Sequence, residues 1–221
     1  MSWSDQPIHF IDFEGSVGSG ILEFGVVTVQ EGALVETVTG KCRATGHIRA
    51  EDLAVHGLAE SAIESEAPFA DEFERFATLR ESGALAAHFA QAENTMIKSV
   101  WPYARQSSDF SRPGETTNDW GPWVDTGRLY PQFYPSLESG KLGDLVRAFD
   151  LQSELDRVAD LHCPADRCHY HAALYDALAG ALLLVRLRQE AELGTQSLPW
   201  LLRMSTMDPV KRESMTQGDL F

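Results

Sequence analysis

The sequence predicts an α/β layer fold with a mixed sheet, in a domain over 1–192 followed by a tail over 193–221. Three observations carry this. Strand-like apolar runs open the chain, helical and strand-like segments then alternate, and the longest apolar helical pattern comes near the end. With 221 residues, 43% of them hydrophobic and 23% charged, the chain can bury an ordinary core.

Residues 8–13 are an apolar run ending in acid, which reads as a buried strand. Gly15, Gly18 and Gly20 mark a tight turn. Strands are expected at 21–30 and 33–42, joined by a hairpin turn at Glu31-Gly32. Short helical turns are expected at 50–56 and 59–65. Pro68 suits the first turn of a helix through 69–82, with Phe69, Phe73 and Phe76 on one face. A strand at 84–88 leads into a helix at 91–100. A long polar connection covers 102–122, and a strand is expected at 123–126. Helices follow at 127–133, 141–149 and 152–160, and the strongest runs from 169 to 192. Beyond 194 little periodicity remains, with partial packing expected through Leu198–Leu202.

The formal net charge is −15, which argues against a protein that coats duplex nucleic acid through a broad basic surface. A nucleic-acid enzyme whose carboxylates hold cations remains compatible with that charge. Three cysteines do not make a disulfide framework. No signal-peptide pattern opens the chain, and the longest apolar run, 177–185, is too short to span a membrane. The expected location is the cytoplasm, with no membrane partner.

Asp12 and Glu14 sit two apart at a strand end, so both point to one face beside a glycine turn. Two such carboxylates repel unless a cation lies between them, and a hard divalent ion suits them. Asp176 precedes an almost wholly apolar stretch, where an unpaired carboxylate is costly to bury. His171, five residues earlier and expected on the same helix, flanks the same region. His88 and Glu93 follow a third apolar element. Cys163, Cys168, His162 and His169 have irregular spacing for zinc and read as ordinary loop residues.

Asp12-Phe13-Glu14, the stretch from His88 to Glu93, and the stretch from His171 to Ala177 resemble the three motifs of the DnaQ-like, DEDD exonuclease superfamily. The histidine five before the last acid resembles the DEDDh subgroup. Val55-His56-Gly57-Leu58, Val124-Asp125-Thr126 and the stretch from Lys141 to Leu145 add weaker likenesses. The resemblance spans about 8–190 and implies a ribonuclease-H-like fold: three antiparallel strands, then parallel strands, flanked by helices.

It further implies that Asp12, Glu14, Glu93 and Asp176 bind two divalent metals, Mg²⁺ or Mn²⁺, with His171 as general base. Gly15, Ser16 and His88 would contact substrate. Independently of the resemblance, Trp120 is an aromatic of the polar connection over 102–122 and offers a face on which a base can stack. The implied activity is 3′→5′ exonucleolytic hydrolysis of single-stranded or frayed DNA, releasing nucleoside 5′-monophosphates. Alternatives are an exoribonuclease or oligoribonuclease-like enzyme, and a catalytically weak docking module. Gly15-Ser16-Val17 departs from the family's Thr-Thr-Gly. Phe89, Ala92 and Glu93 replace its Asn, Phe and Asp. Glu93 is one methylene longer than Asp, so slower turnover or a preference for Mn²⁺ is expected.

The chain closes on Gln217-Gly218-Asp219-Leu220-Phe221, which resembles the pentapeptide by which bacterial replication and repair proteins dock on the sliding clamp. Gln217, Asp219, Leu220 and Phe221 would be its contacts, with two apolar anchors filling a hydrophobic pocket.

Overall fold

The structure is a computed structural model that describes residues 2–206. Strands β1 (Ile8–Ser16), β2 (Gly20–Gln30) and β3 (Ala33–Lys41) form an antiparallel meander. Next come α1 (Ala50–His56), α2 (Glu60–Ile63) and α3 (Phe73–Ser82), then β4 (Ala84–Ala87) and α4 (Gln91–Val100). The polar connection contains a small ribbon of β5 (Ser107–Ser108) and β6 (Thr116–Thr117). After β7 (Val124–Asp125) come α5 (Thr126–Phe133), α6 (Leu142–Ala148), α7 (Gln152–His162), α8 (Ala173–Gln189) and α9 (Leu198–Ser205). The main sheet has the order β3-β2-β1-β4-β7, with β4 parallel to β1 and β7 parallel to β4. This is the mixed sheet that the strand pattern predicts.

The two-residue period of a strand divides the core. Ile8 and Phe10 of β1 pack with Val27 and Val29 of β2 against α8, while Ile11 and Phe13 pack with Phe24 and Val26 among the aromatics of the opposite layer. Asp12 and Glu14 continue the α8-facing row of β1. Glu23 and Gly25 lie opposite Glu14 and Asp12 on β2. Helix α8 lies close on this face. A Cβ at Gly25 would collide with the backbone of Ala173, and one at Gly180 would collide with the Phe10 ring.

Several boundaries differ from expectation. Helix α8 begins at Ala173 instead of 169, because His171 has φ +64° and Ala172 is extended, so neither continues a helix backwards. Phe69–Glu72 is a 3-10 turn ahead of α3, and Pro68 stands at its N-cap. The packing expected through Leu198–Leu202 takes the form of α9, with Leu198, Leu201 and Leu202 buried in the α8-side core. Its Ser205 hydroxyl oxygen accepts the Asp125 N–H at 3.0 Å. Trp3, 1% exposed, closes the other end by donating its indole N–H to the Leu193 carbonyl at 2.9 Å. Among the described residues no helix is long and apolar enough to cross a membrane.

Candidate active site

The site lies where β1 ends, between the start of α4 and the start of α8. The register shift between Glu14 and Gly15 marks a bulge at the end of β1, and Gly15 accommodates it with φ +125°. Ser16 is tied to Ser19 through its N–H (3.0 Å) and its hydroxyl (3.0 Å), which closes the hairpin on itself. Glu14 is 8% exposed, Asp176 8% and Glu93 6%, while Asp12 is half-buried. Glu93 reaches the site from the first turn of α4 and Asp176 from the first turn of α8.

The four acids act on one another. Burial holds the Asp12 carboxyl well above the ordinary carboxylate range, and the nearby charges of Asp176, Glu93, Glu14 and Glu23 raise it further. Burial, then Asp176, pushes Glu14 up to about 8. Burial does the same to Glu93, which rises to about 8, and lifts Asp176 to about 7. Residues far apart in sequence thus share one charged cluster.

Oδ1 of Asp176 and Oε2 of Glu93 are buried with no hydrogen-bond partner. A ring nitrogen of His171 and a carboxylate oxygen each from Glu14 and Asp176 lie within 4.8 Å of one another. Partnerless buried oxygens on mutually repelling acids, beside an imidazole, fit divalent-cation ligation.

His171 is exposed at the mouth of the cluster, in the turn ahead of α8 and not on the helix as the sequence spacing suggested. Its N–H donates to Asp176 Oδ2 at 3.0 Å, so the fifth-residue spacing is bridged by a backbone bond instead of a shared helical face.

One expected substrate contact, Trp120, is corrected, and a second, His88, has internal partners. Trp120 is 0% exposed, donates its indole N–H to the Trp101 carbonyl at 2.8 Å, and packs against the Phe73 and Trp101 rings, so it cannot stack on a base. Both ring nitrogens of His88 are engaged inside the protein, one with the Thr126 hydroxyl and one with the Gly140 carbonyl, each at 2.9 Å. His88 therefore braces the loop after β4. The exposed group in that loop is Phe89, held at φ +60°.

The cysteines and histidines ahead of α8 have hydrogen-bond partners of their own among the described residues. Cys168 donates to the carbonyls of Ala159 and Pro164, His162 pairs with Thr37, and His169 donates to the Tyr170 carbonyl. Among the described residues only Glu14, His171 and Asp176 form a ligand-competent trio. Gln217, Asp219, Leu220 and Phe221 lie outside the described residues.

Three further residues shape the site. Asp125, 6% exposed, accepts the N–H groups of Phe89 (3.0 Å) and Ala90 (3.1 Å) and so sets the turn that launches α4 and Glu93. Glu23 and Arg167 form a buried ion pair beside the acids. The signal for Glu23 is present in the sequence, as a carboxylate in the middle of the apolar run of β2. Arg167 has no comparable signal, because its partners come from three separate segments. A cavity of about 410 Å³ bounded by Gln91, Asn94, Lys98, Trp123 and Arg128 lies beside α4, and the four acids do not line it.

No family model matches the chain, and no curated protein matches it. Solved structures do. Exonuclease X, in complex with 5′-overhanging duplex DNA, aligns over 88% of this chain and 99% of its own, with a TM-score of 0.63 and 21% identity. The nuclease domain of 3′hExo, a DEDDh family member bound to rAMP, aligns over 87% of this chain and 96% of its own (TM-score 0.61, 14% identity). Exonuclease I of E. coli, in complex with a dT13 oligonucleotide, aligns over 85% of this chain and 42% of its own (TM-score 0.62, 10% identity). The chain therefore has the ribonuclease-H-like fold of these exonucleases.

Proposed function

We propose that this protein is a metal-dependent 3′→5′ exonuclease that shortens single-stranded or frayed DNA and releases nucleoside 5′-monophosphates. The observation that carries the reading is the meeting of Glu14, Asp176 and an exposed His171, with Glu93 and Asp12 joined to the same acids through their charges. The shared fold supports it, and so do the DNA complexes of exonuclease X and exonuclease I.

Asp12, Glu14, Glu93 and Asp176 would hold divalent ions, Mg²⁺ or Mn²⁺. When bound, such ions offset the repulsion among the acids and polarise the phosphodiester and the attacking water. His171 accepts the proton of that water at a ring nitrogen. The water oxygen bonds to phosphorus, the bond from phosphorus to the 3′-oxygen breaks, and that oxygen leaves by taking a proton from solvent water. Glu93 reaches the cluster on a side chain one methylene longer than aspartate, so we expect faster turnover with Mn²⁺ than with Mg²⁺.

The test uses 5′-labelled single strands of DNA and RNA in parallel, with metal and with chelator, and Asp176→Ala as control. A metal-dependent ladder shortening from the 3′ end of DNA, absent in the control, is expected. Shortening of RNA alone would assign an exoribonuclease. A folded protein that shortens neither would leave the docking role, which rests on the C-terminal pentapeptide alone.

A further inference from the structure

Arg167 and Glu23 are 5% and 2% exposed, and the hydrogen bonds they make beyond their own pair reach different parts of the site. Nε and Nη2 of Arg167 donate to the two Glu23 oxygens at 3.1 and 2.5 Å. Nη1 donates to the His56 carbonyl at the end of α1 (2.7 Å), and Nη2 also donates to the His171 carbonyl (3.0 Å). Glu23 accepts a third bond, from the N–H of Ala173, the first residue of α8 (3.0 Å). One guanidinium thus ties β2, α1 and the turn ahead of α8 together.

The consequence falls on His171. Its backbone is left-handed, a conformation that a residue with a Cβ does not hold without support. Both polar atoms of that backbone are fixed: the N–H by Asp176 and the carbonyl by Arg167. Its ring is exposed and makes no hydrogen bond among the described residues, so the clamped turn is what aims it at Glu14 and Asp176. A buried ion pair is weak evidence for a stabilising role, since apolar residues of equal volume stabilise as well. What this pair supplies is direction.

We propose that Arg167, held by Glu23, is the positioning residue for His171. The proposal rests on the reading of His171 as general base. Arg167 touches no substrate and acts only through the turn it holds. Lysine cannot replace it, because one ammonium cannot fork across Glu23 while reaching the carbonyls of both His56 and His171.

The test is a double-mutant cycle in the full chain, reading kcat and KM on a single-stranded oligonucleotide, with Mn²⁺ affinity measured by calorimetry. Arg167→Met combined with Glu23→Gln removes both charges together, and Arg167→Lys serves as a milder variant in case that pair fails to fold. Either change is expected to lower kcat by about 10–100-fold, the usual range for residues that orient a site's ligands, with KM and Mn²⁺ affinity within about threefold of the parent. In a His171→Ala background the same change is expected to lower kcat by less than about twofold, because the group it orients is gone. Equal losses in both backgrounds would overturn the proposal, as would a fall in Mn²⁺ affinity that tracks kcat, or parental kcat in Arg167→Lys. If His171→Ala alone kept the parental rate, the general-base reading would fall first and take the positioning role with it. That result is distinguishable because it needs no change at Arg167.

Discussion

Removing divalent metal should make the protein's stability fall as pH rises from 6.5 to 8, and restoring metal should flatten that fall. In the folded protein Glu14 and Glu93 are pushed up to about 8 and Asp176 to about 7, chiefly by burial. In the unfolded chain the same acids are already ionised by pH 6.5. The folded state therefore binds more protons than the unfolded state in this window, and stability declines with pH. Each acid titrating near 8 contributes about 2 kcal/mol of loss between pH 6.5 and 8, at about 1.4 kcal/mol per unit, so Glu14 and Glu93 set a scale of about 4 kcal/mol. For a chain of this size that corresponds to roughly 10 °C of thermal midpoint.

The window lies between the ranges in which the other strongly shifted groups act. Burial lowers His9 and His88 to about 4, so their contribution changes mainly below pH 6.5 and has the opposite sign. Burial raises Cys42 and Cys163 to about 12, so their effect begins at the ordinary thiol range above pH 8. The assay is thermal unfolding in chelator and in saturating Mn²⁺ at pH 6.5, 7.25 and 8, with Glu93→Gln as control. A chelator midpoint that stays level or rises with pH would refute the reasoning, as would a Mn²⁺ stabilisation of equal size at pH 6.5 and pH 8.

Further expectations concern single residues. His171→Ala should lower kcat by about 10²–10⁴-fold with the fold intact, measured on labelled oligonucleotide against circular dichroism. Asp125→Ala removes the acceptor for two loop N–H groups, which should cost about 1–3 kcal/mol in denaturant unfolding and weaken Mn²⁺ binding through Glu93. Leu201→Ala should cost about 2–5 kcal/mol, because Leu201 of α9 is 1% exposed, and a change below 0.5 kcal/mol would contradict its place in the core. On the docking reading of the C-terminal pentapeptide, the full chain should capture a bacterial sliding clamp in a pull-down, and deleting Leu220 and Phe221 should abolish capture while leaving hydrolysis of short oligonucleotides unchanged; no capture by the full chain would refute that reading.

The sequence by itself determined the order of strands and helices, because a two-residue or 3.6-residue apolar period is a local property. It also determined three of the acids' neighbourhoods: Asp12 and Glu14 share a strand face by spacing alone, and Asp176 stands out as a carboxylate ahead of an apolar helix. Glu93 was marked by the family resemblance of its motif. Tertiary structure decided the rest. His171 looked helical from its spacing to Asp176, yet a side-chain-to-backbone bond and a left-handed turn place it ahead of the helix. Trp120 looked like a loop aromatic free to stack, yet Phe73 and Trp101 bury it. The Glu23–Arg167 pair joins positions 144 residues apart, and Asp125 reaches 36 residues back to the turn at Phe89. Hydrogen bonds and buried charges depend on where segments meet, and that meeting is fixed by packing α8 on the sheet, which no local period encodes.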